Sequence, residues 1–328
     1  MLDKKPTLCN YYDSRKNGGK AMKKKFLFVT ANSHETAALL KDKSSFVYEE
    51  KRSPLTTDSA FYNVGKFGEY DVVHFELVNQ ASIKSDASIL AIYDAIEAWC
   101  PDAVILIGIA FGKDDEDMLD PRQHIGDVLI SKMVADYESE KIKDGVHQSD
   151  GFIAESGRHL ISVFQHYSRD WNHVVCNRKV DVIMGLMLSG DRVVDDQGFK
   201  DKLFSRFPRA IGGEMEGRGA YSACRRKGID EWIIVKAICD WGVNKAGNKT
   251  ENQIIASESS ASLLRYIFSK PDAFDKLPSQ KSKTIGGTGL LGSVEINYVE
   301  GDSLNDNAQK IDFGRKNVFS GNVSIESR

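Results

Sequence analysis

Two apolar runs, residues 103–107 and 232–238, constrain the fold of this chain most strongly. A short, continuous apolar run is typical of a strand that is buried on both faces of a sheet. Amphipathic helical patterns lie between such runs, for example at residues 85–99 and 251–268. This alternation predicts an α/β protein, a three-layer α/β/α sandwich around a mixed central sheet.

The composition changes along the chain and predicts four segments. Residues 1–23 have little periodicity and are expected to form an N-terminal arm, while residues 24–270 form the main domain. Residues 271–288 are rich in Lys, Ser, Pro and Gly, which is typical of a linker. Residues 289–328 alternate in short β-like stretches and are too few to bury a good core. This small β-rich appendage is expected to dock on the main domain, another subunit or a protein partner.

The bulk chemistry excludes several classes of function. The chain is 41% hydrophobic and 28% charged with a net charge of -3, so neither a nucleic acid nor a membrane is an expected partner. No apolar run reaches the roughly 20 residues that span a bilayer. Residues 1–25 lack the apolar core of a secretory signal, which predicts a cytoplasmic protein. No paired Cys or His motif favours a metal, and no glycine-rich fingerprint favours a nucleotide cofactor.

Carboxylates follow two of the expected strands. Glu214 and Glu216 come directly after one short apolar segment, and Asp240 ends the run at 232–238. In α/β proteins the ligand crevice lies outside the carboxyl ends of the strands, and an apolar wall raises the pKa of an acid placed there. Alternatively, Glu214 and Glu216 are first-turn acids that favour a helix N-terminus. Each acid alone leaves both interpretations open, and their combination favours a site.

Three predicted turns follow other strands, at residues 30–31, 108–112 and 189–191. Together with Asp240 they are expected to surround one crevice. For any single turn, the alternative is that its glycine only permits a tight bend.

Taken in order, these motifs resemble the nucleoside phosphorylase and nucleosidase superfamily. The likeness is greatest to bacterial nucleosidases that cleave methylthioadenosine and S-adenosylhomocysteine. It covers residues 24–268, which makes the main domain a nucleosidase domain with a phosphorylase/hydrolase-like fold. The motifs that carry the resemblance lie at residues 28–40, 101–112 with 126–131, 185–191 and 207–240.

The resemblance implies hydrolysis of a purine N-glycosidic bond without a cofactor. Asp240 would donate a proton to the purine, Glu216 would accept hydrogen bonds from the ribose hydroxyls, and Met215 would pack on the sugar. Glu35 would activate water on the opposite face. Without the family, the residues alone favour a solvated helix acid for Glu35 and a helix cap for Asp240. The other expected substrate-binding residues are Ile109, Ala110, Phe111, Val193, Asn32, Arg192 and Lys236. A homo-oligomer is expected, because family members complete the 5′ pocket with a neighbouring subunit.

Departures from the family pattern favour hydrolysis over phosphorolysis. Leu106 and Ile109 stand where phosphorylases carry an arginine and a hydroxyl residue, and apolar side chains cannot hold a phosphate dianion. Lys236 replaces an arginine, which keeps the positive charge but loses the planar, forked set of N–H donors of a guanidinium group. The alternatives are a phosphate-dependent purine nucleoside phosphorylase and a catalytically silent nucleoside-binding module.

The 5′ end of the substrate is expected to differ from that of the methylthio nucleosidases. Asn32 replaces a methionine, and Val193 lies where an aromatic residue commonly stacks on the base. Arg192 and Lys113 bring positive charge near the turns, which is typical of a phosphorylated 5′ group such as that of ATP. The alternative is that both are solvated surface cations. Nucleosidase modules with extra segments also occur in bacterial antiviral systems, so an effector role there is a further prediction.

Overall fold

The computed structural model describes residues 24–55, 60–77, 88–113, 122–143, 146–243 and 249–279. All of them belong to one compact unit, which spans Met1–Gln280. The predicted arm (1–23) and β-rich tail (289–328) lie outside the described residues, so both stay predictions.

Fourteen strands and six helices are present in the described part of the chain. The strands are β1 (Lys25–Thr30), β2 (Phe46–Arg52), β3 (Phe61–Phe67), β4 (Tyr70–Glu76), β5 (Ala103–Gly112), β6 (Val128–Asp136), β7 (Glu140–Lys143), β8 (Val146–Ser149), β9 (Ile153–Glu155), β10 (Val174–Val175), β11 (Arg178–Lys179), β12 (Val182–Ser189), β13 (Ala210–Glu214) and β14 (Trp232–Asp240). The helices are α1 (Ser33–Leu40), α2 (Ser88–Trp99), α3 (Arg158–Tyr167), α4 (Gln197–Arg206), α5 (Gly217–Lys227) and α6 (Lys249–Phe268).

One mixed sheet forms the centre, in the order β13-β12-β6-β14-β5-β1-β4-β3-β2, with β9 paired to β6. Its central strands are buried on both faces, as the apolar runs predict. In β5, for example, Val104 and Leu106 face the side that carries α2 and α5, while Ile105 and Ile107 face the side that carries α3 and α6. The predicted three-layer α/β/α fold with a mixed sheet is confirmed.

The strands that carry the expected site residues do not all run in the same direction. Strands β1, β5 and β14 run parallel, but β6 runs antiparallel to β14, and β12 and β13 follow β6. Strand β13 nevertheless reaches the crevice because it pairs with the end of β5, through Gly212 with Gly112 and Gly213 with Phe111. A Cβ on Gly213 would lie 2.4 Å from the Phe111 ring. The absence of a side chain there permits the strands to approach, and the sheet curls into a partial barrel.

Two local expectations need correction. Residues 108–112 do not form a turn, because β5 continues to Gly112. Residues 271–279, expected to begin a linker, pack on the domain: the ring of Phe274 lies 4.7 Å from those of Phe26 and Phe268 and is 1% exposed. The aromatic residue and Leu277 give this stretch the apolar surface that a solvated linker lacks.

Candidate active site

The first component of the site is Glu35, in the first turn of α1. The helix is capped by Asn32, whose side-chain oxygen accepts hydrogen bonds from the backbone N–H groups of His34 and Glu35. The Glu35 side chain turns inward and is 1% exposed. Its Oε2 accepts from the Ala31 N–H at 2.5 Å, and its Oε1 accepts from the Ile109 N–H at 2.9 Å. Glu35 therefore bridges the ends of β1 and β5, and is not a solvated helix acid.

Gly108 makes room for this carboxylate. Its φ is +154°, and a Cβ at this position would lie 2.0 Å from Glu35 Oε1. A side chain on residue 108 would therefore displace the carboxylate from the Ile109 N–H.

Burial raises the pKa of Glu35 to about 7. The positive charge of Lys236 acts in the opposite direction, while the negative charge of Glu216 raises the pKa further. The two backbone N–H groups favour the charged form. A carboxyl group with a pKa near neutrality can both accept and release a proton under physiological conditions.

The second component is a buried ionic cluster of Glu35, Glu214, Glu216 and Lys236, called here the lysine cluster. Lys236 projects from the middle of β14 and is 2% exposed. Its Nζ donates to Glu216 Oε2 at 2.5 Å and lies 3.7 Å from Glu214 Oε2. The cluster places the expected ribose-binding acid, Glu216, in the same buried network as the expected water-activating acid, Glu35.

Glu214 and Glu216 have different roles in this cluster. Glu214 accepts hydrogen bonds from the backbone N–H groups of Glu216 and Gly217, at 2.9 Å each, and so caps α5. Burial raises the pKa of Glu214, and the positive charge of Lys236 counteracts part of this effect. Burial alone would lower the pKa of Lys236, but the surrounding carboxylates reverse that and raise it. Lys236 therefore stays an ammonium.

Asp240 lies at the C-terminal end of β14, beside Phe111 in the strand register. Lys236 is level with Gly108, so the two charged residues are about 10 Å apart along β5 at the usual rise of a strand. Asp240 is half-buried, and its Oδ1 accepts from the Gly242 N–H at 2.8 Å. Asp240 therefore lies farther along β14, apart from the lysine cluster.

The remaining predicted lining residues differ in exposure. Ala110 and Phe111 are buried in β5, and Met215 is half-buried where β13 passes into α5. Val193 is 65% exposed. The Asn32 oxygen is occupied by the helix cap.

The basic residues near the rim contact protein groups. Arg192 is exposed, and its Nε lies 3.2 Å from Glu138 Oε2. Lys113 Nζ donates to the Pro208 carbonyl at 2.8 Å. Arg192 is thus held by an ion pair in which its own side chain stays exposed, whereas Lys113 contacts a carbonyl oxygen.

Sequence reasoning gave Glu214 less weight than the structure does. A lysine within an otherwise apolar run is itself a signal, because a buried ammonium requires carboxylate partners. Glu214 and Glu216 were the acids available at the end of β13, the strand that precedes β14 along the chain. The lysine in the apolar run of β14 therefore indicated both acids as its partners.

Neither a membrane-spanning helix nor a group of metal-ligating side chains occurs among the described residues.

Residues 25–269 match the model of the phosphorylase superfamily. The match covers the complete sheet and the lysine cluster, and it accounts for most of the chain. The chain belongs to this superfamily.

Curated relatives are similar over the same region. A death domain-containing ATP nucleosidase of Amphimedon queenslandica is 27% identical over 234 residues, which is 66% of this chain and 43% of the relative. The chain thus spans less than half the length of that relative. A 5'-methylthioadenosine/S-adenosylhomocysteine nucleosidase of Buchnera aphidicola is 28% identical over 207 residues, 62% of this chain and 82% of the relative.

Solved structures share the fold. The methylthioadenosine/S-adenosylhomocysteine nucleosidase of Neisseria meningitidis, in complex with methylthio-immucillin-A, has a TM-score of 0.61 at 21% identity and covers 75% of this chain and 99% of its own. Futalosine hydrolase of Helicobacter pylori has a TM-score of 0.59 at 19% identity, with 74% and 97% covered.

Replacing Lys236 by Met tests the lysine cluster. The substitution leaves three carboxyl groups buried together without a cation, so we expect the free energy of unfolding at neutral pH to fall by about 3–5 kcal/mol. Urea unfolding followed by circular dichroism measures this. Lys66→Met is the matched control: its exposed pair with Asp71 has an N–O distance of 2.6 Å and should contribute less than about 1 kcal/mol.

The double variant Lys236→Met, Glu216→Gln also removes one of the carboxylates that Lys236→Met leaves unpaired. We expect it to be more stable than the sum of the two single effects by about 1–3 kcal/mol. Strictly additive effects would show that the two side chains are not coupled.

Proposed function

We propose that this chain is a purine nucleosidase, which hydrolyses the N-glycosidic bond of a purine nucleoside or nucleotide and releases the free base. The observation that carries the proposal is the buried Glu35 carboxyl group, with a pKa near 7, beside the Glu216–Lys236 pair. An acid that can remove a proton from water thus adjoins an acid that can hold a ribose. Asp240 lies farther along β14, beside Phe111 of β5.

The chemistry divides among three carboxyl groups. As the bond between the sugar and the purine breaks, its electron pair moves to the base, which Asp240 protonates. Positive charge develops on the ribosyl carbon, and Glu216 stabilises it while accepting hydrogen bonds from the hydroxyls. Glu35 takes a proton from water, whose oxygen forms the new bond to carbon. The products are a free purine and a ribosyl product that carries the new hydroxyl.

Three features of the site favour water over phosphate as the nucleophile. The Ile109 N–H, a donor at the predicted phosphate position, is occupied by Glu35. Leu106 is 1% exposed and contributes no donor. Glu35 and Glu216 would also repel a phosphate dianion. The phosphorylase alternative therefore has less support than hydrolysis.

The alternative of a catalytically silent binding module is also less well supported. Recognition of a nucleoside requires hydrogen bonds and an apolar floor, but not a buried acid poised near neutral pH. A protein that only binds would also gain nothing from the cost of burying the charges of the lysine cluster.

The relatives support a nucleosidase, and one of them extends the substrate class. The curated relatives described above are named as nucleosidases, and the Amphimedon queenslandica protein is named as an ATP nucleosidase. Arg192, whose side chain is 64% exposed at the end of β12, could contact a 5′ phosphate group. We therefore include nucleotides such as ATP among the proposed substrates. A homo-oligomer, a protein partner for residues 289–328 and an effector role in antiviral defence stay predictions from the resemblance.

The proposal is tested by incubating the chain with adenosine, methylthioadenosine, S-adenosylhomocysteine and ATP. We expect adenine to be released from at least one of them at the same rate with and without inorganic phosphate. Asp240→Asn should lower kcat by about 10²–10⁴, the usual contribution of a general acid. Asp230→Asn, an exposed acid just before the other end of β14, is the control and should leave the rate unchanged.

Strict dependence on phosphate, with ribose 1-phosphate as the product, would establish a phosphorylase instead. No base release from any compound on the panel, despite binding, would support the silent module.

Arg192→Gln tests the nucleotide substrate. If the guanidinium contacts the 5′ phosphates, KM for ATP should rise about tenfold, the effect of losing one charge-assisted hydrogen bond, while KM for adenosine stays the same. Arg158→Gln is the matched control, since Arg158 is also exposed, has a glutamate neighbour and lies elsewhere, at the first residue of α3. Equal KM values for ATP in wild type and Arg192→Gln would remove Arg192 from the site.

A further inference from the structure

A buried histidine lies beneath α1 and has no role in the chemistry above. His74 lies in β4, faces the interior and is 1% exposed. Its Nε2 lies 2.9 Å from Thr30 Oγ1, and its Nδ1 lies 3.0 Å from Asn63 Nδ2. Both ring nitrogens are therefore engaged by polar groups on adjacent strands, Thr30 on β1 and Asn63 on β3.

These contacts define the direction of each hydrogen bond. The amide nitrogen of Asn63 can only donate, so His74 Nδ1 accepts and the ring proton lies on Nε2. Nε2–H then donates to Thr30 Oγ1. Burial lowers the pKa of His74 to about 3, so the ring stays neutral and keeps this arrangement across the physiological range.

The chain of hydrogen bonds ends on α1. Thr30 Oγ1 lies 2.7 Å from Thr36 Oγ1, and because Thr30 already accepts from His74, its own proton is available to Thr36. Thr36 directly follows Glu35 in the first turn of the helix. The next residue after Thr30 is Ala31, whose N–H donates to the Glu35 carboxylate. Thr36 is thus the sequence neighbour of Glu35, and Thr30 is the sequence neighbour of a residue that donates to the Glu35 carboxylate.

We propose that His74 is a positioning residue for Glu35, acting through the hydrogen-bonded chain Asn63–His74–Thr30–Thr36 that fixes the first turn of α1 over the end of β1. The inference rests on the proposed function, because it assigns a purpose to the placement of Glu35. A general base must be held within hydrogen-bond reach of the water that it activates, and a displacement of about 1 Å can cost about 10² in rate.

The rival explanation is that His74 only fills space in the core. A packing role requires the volume of the ring, whereas the proposed role requires a donor at the position of Nε2. Two amide substitutions separate these requirements, because Gln can place its nitrogen near the position of Nε2, while Asn reaches only as far as Nδ1.

The experiment compares His74→Gln with His74→Asn. We expect His74→Gln to keep kcat within about twofold of wild type, and His74→Asn to lower kcat by about tenfold or more with KM changed by less than about twofold. Thr36→Ser and Thr36→Val form a second pair, in which only valine loses the hydroxyl. A core-packing role predicts that the Gln and Asn variants lose activity in proportion to their loss of Tm.

A readout without substrate keeps the inference separate from the proposed function. Hydrogen exchange of the Ala31 amide, which donates to Glu35, should be about tenfold faster in His74→Asn than in His74→Gln. Faster exchange in a protein that releases no base would support the positioning role and refute the nucleosidase. Equal exchange and equal kcat in the two variants would overturn the positioning role.

Discussion

The site depends on one buried ammonium group. Lys236 is nearly inaccessible in the middle of β14 and is charged only because Glu216, Glu214 and Glu35 surround it. The dependence is mutual, since none of these acids could stay ionised at such depth without a cation. One interaction therefore holds Glu216, the proposed sugar-binding acid, and Glu35, the proposed water-activating acid, in a single network, although they come from different parts of the chain.

The fold is arranged to assemble this network. Glu35 arrives from the first turn of α1, Lys236 from β14, and the Glu214 and Glu216 pair from the junction of β13 and α5. Strand β13 runs against β5, and it reaches Lys236 because Gly213 lets it cross beside Phe111. The glycines at 108 and 213 are thus part of the site, since one admits a carboxylate and the other admits a strand.

The sequence was sufficient for the fold class and for most of the charged residues of the site. Continuous apolar runs predicted central strands, because only a strand covered on both faces excludes polar residues so completely. The sequence was insufficient where contacts between distant parts of the chain determine the local structure. The sequence predicted a turn at the end of β5 because glycine, present at 108 and 112, is frequent in turns. Pairing with β13 and β14 keeps this segment extended. His74 carried a signal, a polar residue in an apolar strand, but its partners on β1 and β3 are distant in sequence.

The central claim is that Glu35 acts as a base whose pKa is set by burial, and the pH dependence of kcat/KM tests it directly. Only the ionised carboxyl group can take a proton from water, so kcat/KM should fall as the pH drops below about 7. At about pH 5 a group with this pKa is about 1% ionised, so loss of its ionised form should lower kcat/KM about 100-fold. A rate that does not change between about pH 5 and about pH 9, or an acid limb that persists in Glu35→Gln, would contradict the account.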